Sequence, residues 1–141
     1  MSNQLVTDLV AAVDQQFDQQ VDFLQQLVRF DSTRGNEQAA QTFVAEALSA
    51  LQYELDIWPI ELEHIAHLPG FSPVAGPYVY AENVVASHTP KETKGRSLIL
   101  NGHIDVVPIG PIEMWHSTPY SGHIEDGWMY GRGSGDMKAG L

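Results

Sequence analysis

Residues 102–110 read Gly-His-Ile-Asp-Val-Val-Pro-Ile-Gly, and only Asn101 separates them from the largely apolar run Ser97 to Leu100. A histidine and a carboxylate therefore stand where a buried strand is predicted to end, which is where open α/β sheets place their chemistry. One residue separates His103 from Asp105, so in extended backbone their side chains point to the same side. A second polar cluster, residues 131–138, reads Gly-Arg-Gly-Ser-Gly-Asp-Met-Lys and carries Asp136 at the predicted start of a helix. Glycines 131, 133 and 135 give that loop the freedom to approach an ion closely or to take up positive φ. Together the two segments read as half of a metal site.

Outward from these motifs the chain alternates helix and strand signals. Leu5, Leu9, Val13, Phe17, Val21, Leu24 and Val28 recur at helical spacing among Gln and Asp, which predicts a long amphipathic helix. Residues 31–37, Asp-Ser-Thr-Arg-Gly-Asn-Glu, break that pattern with turn and capping types. A second amphipathic helix follows, marked by Ala40, Phe43, Val44, Ala47, Leu48 and Leu51. Tyr53, Leu55 and Ile57 alternate as in a strand, Pro69 to Pro77 reads as a loop, and Asn83 to Ala86 and Ser97 to Leu100 read as two further strands. Asp126-Gly127, between Ile124 and Met129, is the strongest local hairpin signal in the chain. The expected fold class is α/β, a mixed, largely parallel sheet flanked by helices.

Composition narrows the function. Seven basic against 18 acidic residues leave a net charge of −11, which repels nucleic-acid backbones and anionic membrane surfaces. The chain has no cysteine, so any bound metal must be held by His, Asp, Glu or water. The first thirty residues carry Asp8, Asp14, Asp18 and Asp22 and neither a basic leader nor a continuous apolar stretch. A cytoplasmic location with no membrane span is the expectation. The 141 residues, 43% apolar, suffice for one domain with its own core.

Each motif alone admits a plainer account. His-x-Asp by itself is more often a histidine closing a strand end and an aspartate capping the turn before Pro108. Gly-Arg-Gly-Ser-Gly lacks the spacing of a phosphate-binding loop or dinucleotide fingerprint, and could be a hairpin exit. His64, His67, His88, His116 and His123 have no partner at ligand spacing and read as loop or surface residues, with His116 and His123 the nearest in sequence to the site. Trp115, Pro119 and Tyr120 read as packing or as a substrate entrance, Arg132 as a loop-orienting or solvated cation, Arg34 as a turn residue and Lys138 as exposed.

Taken jointly, Gly-His-x-Asp-Val-Val-Pro, a Trp-containing loop and Asp-Gly-x-x-Tyr-Gly-Arg-Gly-x-x-Asp-Met-Lys are far more specific than either piece. In these motifs the chain resembles the acetylornithine deacetylase and succinyl-diaminopimelate desuccinylase family, the aminoacylase-like dizinc metallopeptidases. The helix pair and the Asn83–Ala86 strand match in order as well. The resemblance implies that residues 1–141 are the N-terminal part of a zinc-hydrolase catalytic domain, incomplete by itself. It implies zinc ligation by His103, a catalytic supporting role for Asp105, and two metals bridged by Asp136, followed by a cis Asp136–Met137 bond. Ala139 departs from the glycine often found at that position.

In the family the reaction is hydrolysis of an amide of a small N-acyl amino acid or peptide by metal-activated water. Zinc is the implied ion, two per complete site, and cobalt and manganese also accept such ligands. The family's Glu-Glu pair, which supplies the general base, and the remaining ligands fall outside this sequence. The segment alone is accordingly expected to bind metal weakly and to be inactive. The resemblance leaves a homodimeric parent open. The rival expectation is a non-catalytic scaffold or binding module, a decayed hydrolase retaining part of the metal site.

Overall fold

The structure, a computed structural model, describes residues 3–73, 80–92 and 94–141. The first periodic stretch forms α1 (Asn3–Val28), 26 residues long, about 39 Å at the α-helical rise. Its amphipathic face is covered only toward the C-terminal end. Leu27 and Val28 are fully buried, whereas Leu9, Val13 and Phe17 are more than half exposed.

Asp31 to Glu37 turn the chain into α2 (Gln38–Ala50). Glu37 is the residue before that helix, but its side chain makes no cap. Its Oε2 instead accepts the Gly35 amide at 2.7 Å, closing the turn. The core lies between the two helices and the extended segment below them: Leu27, Ala40 and Ile104 are buried, with Phe23, Phe30, Phe43 and Val44 packed around them. Phe43 stacks on Phe23 at 5.2 Å and lies 5.3 Å from Phe30 between ring centroids, close enough for aromatic attraction beyond area burial.

Strand β1 (Glu54–Pro59) is followed by the single-turn helix α3 (Leu62–Ile65) and strand β2 (Glu82–Ser87). β1 and β2 pair antiparallel, Leu55 opposite Ala86 and Ile57 opposite Val84. α2 packs on this ribbon. Later come β3 (His123–Glu125) and β4 (Trp128–Tyr130), an antiparallel hairpin closed by Asp126 at φ 51° and Gly127 at φ 80°. Positive φ at both central residues is what a tight hairpin turn of that hand demands, and Asp-Gly supplies it.

The mixed helix-and-strand class stands, but the pairing differs in kind from the largely parallel sheet expected. Both sheets are two-stranded and antiparallel. Parallel pairing among the described residues is confined to one bridge, Thr33 to Val106. The Ser97–Leu100 segment joins neither sheet, and Leu98, Ile99 and Leu100 are 79%, 88% and 86% exposed. Three consecutive apolar residues, Leu98 to Leu100, suit a strand covered on both faces, and no described segment pairs with them to provide that cover. Part of the Pro69–Pro77 loop, residues 74–77, lies outside the described residues. In place of the helix expected from Asp136, Lys138–Gly140 forms a single 3-10 turn; a longer helix needs several turns and a packed face to repay its nucleation.

Candidate metal centre

The C-terminal end of α1 is the anchor for both motif segments. Immediately after it, the buried Ser32 hydroxyl donates to the Ile104 carbonyl at 2.7 Å, and the Val106 amide donates to the Ser32 carbonyl at 3.0 Å. These bonds pin the 104–106 backbone in extended form. Ile104 and Val106 face inward and are buried, so the intervening alternation turns His103 and Asp105 outward on the same side, as their spacing predicts.

The turn that does the pinning is itself braced. Asp31 Oδ1 accepts the Thr33 amide at 3.1 Å, the Thr33 hydroxyl at 2.7 Å and the Tyr120 hydroxyl at 3.0 Å. Burial pushes the Asp31 carboxyl upward, but the bonds from Thr33 and Tyr120 outweigh it, and its pKa lies below the ordinary 3.8. The Tyr120 hydroxyl is raised above its ordinary 10.0 by burial and by the same carboxylate.

The second segment returns to the same helix end through Lys138. Contrary to the sequence expectation of an exposed side chain, Lys138 is 2% exposed. Its Nζ donates to the carbonyls of Leu27 at 3.1 Å and Phe30 at 2.8 Å. Those carbonyls belong to the last turn of α1 and the residues just after it, where unpaired acceptors and the negative end of the helix dipole favour a cation. Burial holds the ammonium down to about 8, with the Asp31 carboxylate partly countering. The peptide bond joining Asp136 to Met137 is cis, the isomer implied by the family resemblance.

Glycine is required where these segments touch. A Cβ on Gly131 would overlap the Val28 side chain and lie 3.3 Å from the Pro119 carbonyl. Gly133 combines φ +81° with close approach to Val106. Arg132, between them, is held by a carbonyl and a ring: it donates to the Ile109 carbonyl at 3.4 Å, and its guanidinium lies 5.2 Å from the Trp115 ring centroid. Trp115 donates to that same carbonyl at 2.9 Å, so Trp115 and Tyr120 brace the loop that follows the first motif. His123 sits on β3 beside Glu125, 3.6 Å away, and His64 lies 3.0 Å from Glu61.

These supports bring His103, Asp105 and Asp136 to one depression of about 250 Å³, which Val106 and Gly133 also line. His103 Nδ1 lies 3.0 Å from the Asp105 carbonyl oxygen and 3.2 Å from Asp105 Oδ1. The carbonyl oxygen is the hydrogen-bond partner and the carboxylate oxygen lies beside it, so with the proton on Nδ1 the lone pair of the ring is on Nε2. Nε2 faces Asp136 Oδ1 at 3.3 Å. Two lone-pair donors facing each other call for a proton or a cation between them.

Charge-assisted N–H···O bonds contract to about 2.7–2.9 Å. The 3.3 Å separation of Nε2 and Oδ1 is longer than that and admits either occupant. His103 is half-exposed and Asp136 almost fully exposed, so an ion and its remaining water ligands have open access. Among the described residues no group of three or more His, Asp or Glu side chains is arranged around one point.

Comparison with known proteins agrees with the motif reading. The family model of peptidase family M20/M25/M40 matches residues 99–141, the stretch containing both motifs. The succinyl-diaminopimelate desuccinylase of Hydrogenovibrio crunogenus is 32% identical over 123 residues, which is 86% of this chain and 27% of that protein. The enzyme of that name from Paraburkholderia xenovorans is 34% identical over 117 residues, 83% of this chain and 26% of that protein. The one from Cupriavidus necator reaches 51% identity over a shorter stretch of 47 residues, 33% of this chain and 12% of that protein. The chain belongs to peptidase family M20/M25/M40. It spans about a quarter of the length of the curated relatives it matches.

Proposed function

We propose that residues 1–141 form the N-terminal part of the catalytic domain of a cytoplasmic, metal-dependent amidohydrolase. The substrate class is the amide of a small N-acyl amino acid or peptide. The relatives carry the name succinyl-diaminopimelate desuccinylase, which points to a succinyl amide. The single observation carrying the reading is the 3.3 Å approach of His103 Nε2 to Asp136 Oδ1 beside a proton-accepting Asp105.

His103 and Asp136 are the two ligands this chain contributes to a zinc centre of two ions, which cobalt or manganese also suits. Asp105 holds the Nδ1 proton, fixes the tautomer and keeps the Nε2 lone pair available. When bound, the ions lower the pKa of water and polarise the scissile carbonyl. Asp105 and Asp136 line the depression around His103 and present negative charge toward such ions. One imidazole and one carboxylate are too few protein ligands for either ion, so the segment by itself binds metal weakly and does not turn over.

The test is metal content and acyl-amide hydrolysis by the polypeptide that carries this segment, compared with its D136A variant. Loss of one equivalent or more of metal together with loss of hydrolysis is expected. Hydrolysis at the unaltered rate in D136A would exclude the ligand role.

A further inference from the structure

Lys138 stands out because a buried ammonium needs a reason. It has no carboxylate within ion-pair distance among the described residues, and its acceptors are two main-chain carbonyls. Its stem passes Gly133, where an added Cβ would lie 3.5 Å from both Cδ and Cε and would overlap Val106. Its own amide donates to the Gly133 carbonyl at 3.0 Å. One residue therefore touches the end of α1, the glycine loop and, through Gly133, the strand-like segment carrying His103 and Asp105.

From this we infer that Lys138 is a positioning residue for the metal centre, setting where the Asp136 carboxylate stands relative to His103. The inference rests on the proposed metal reading of that pair. Two side-chain groups, the Ser32 hydroxyl and the Lys138 ammonium, connect the motif segments to the same helix end, and they act at different points. Ser32 fixes the height of the His103 segment through Ile104. Lys138 fixes the Asp136 segment through Leu27 and Phe30. The pair of carbonyls defines a direction as well as a distance, because the ammonium must lie between them. Asp136 is two residues along the same backbone, so a shift of Nζ is passed to its carboxylate. The positive charge suits the helix end, which is why an apolar side chain of equal length is not an equivalent filler.

The experiment is a Zn2+ titration of the 141-residue chain, following the His103 imidazole nitrogens by 15N NMR, with circular dichroism reporting folding. K138M is expected to weaken Zn2+ binding at His103 at least tenfold, and K138R, which restores charge and donors, is expected to recover part of that loss. Wild-type affinity in folded K138M overturns the inference, as does equal weakening in K138M and K138R, which marks a merely structural role. Should K138M fail to fold, K138Q retains an N–H donor without the charge: a loss of threefold or more supports the inference and unaltered binding overturns it. Absence of any Zn2+ response at His103 in the wild-type chain removes the metal reading itself, and this inference with it.

Discussion

His103 Nε2 stands 3.3 Å from Asp136 Oδ1, although the two residues lie on segments joined through a hairpin and an extended loop. Between the segments themselves, the His103 amide donates to the Met137 sulfur at 3.4 Å. Beyond that contact, both segments are tied by hydrogen bonds to the C-terminal end of α1 and the turn after it, and each of those supports can be removed separately.

Ser32 is the support for the first segment. Ser32→Ala removes the bond to Ile104 and leaves a buried carbonyl without its donor, at a cost of about 1–3 kcal/mol. Urea unfolding should show that loss in the midpoint with an unaltered slope. A midpoint indistinguishable from wild type would show that the hydroxyl does not hold this segment.

Asp105 is assigned to orient the His103 ring. Asp105→Ala should weaken Zn2+ binding at His103 by about 10–100-fold, the range found for the partners of metal-binding histidines, with little effect on folding because the side chain is half-exposed. Isothermal titration against Zn2+ reads this directly. Undiminished affinity would leave the ring held by the Asp105 carbonyl oxygen alone.

Tyr120 and Asp31 make a pH prediction. The Asp31 carboxyl is lowered in the folded chain, so the stability it contributes is present above its ordinary pKa of 3.8 and is lost as pH falls through the folded value. Tyr120 is raised, so its contribution is present below its ordinary pKa of 10.0 and is lost as pH climbs through its folded value. Tyr120→Phe removes one of the three donors to Oδ1. Acid unfolding should begin at higher pH in this variant, and the alkaline loss tied to the phenol should vanish. Identical acid midpoints in Tyr120→Phe and wild type would contradict the role of this bond.

Gly131 tests the close approach of the glycine loop to α1. Gly131→Ala places a methyl against Val28 and the Pro119 carbonyl, and overpacking of this kind costs about 1–3 kcal/mol. The thermal midpoint should fall accordingly. Gly127→Ala, at a turn position with open space around it, is strained only by its positive φ and should cost less.

Much of this is legible in the residues themselves. α1, α2, β1 and β2 follow from periodicity, and Asp126-Gly127 announces its hairpin, because each depends on neighbours in sequence. His103, Asp105 and Asp136 stand out because two short motifs are specific when read together. The buried Lys138 is not legible: its acceptors are main-chain carbonyls 111 and 108 residues upstream, and a carbonyl leaves no mark in a side-chain sequence. The clamp from Ser32 to Ile104 is hidden for the same reason. Ser97–Leu100 has the pattern of a buried strand, but a pattern states what a segment needs and cannot supply the neighbours that would pair with it.

The central claim is that one ion binds both the imidazole of His103 and the carboxylate of Asp136. The most direct test is a Zn2+ titration of wild type and D136A, monitored at the imidazole nitrogens of all six histidines. In the wild-type chain the His103 Nε2 signal is predicted to shift at lower Zn2+ than that of any other histidine, and in D136A that shift is predicted to vanish. A His103 shift of full size in D136A, or tighter Zn2+ binding at a different histidine in the wild-type chain, would contradict the account.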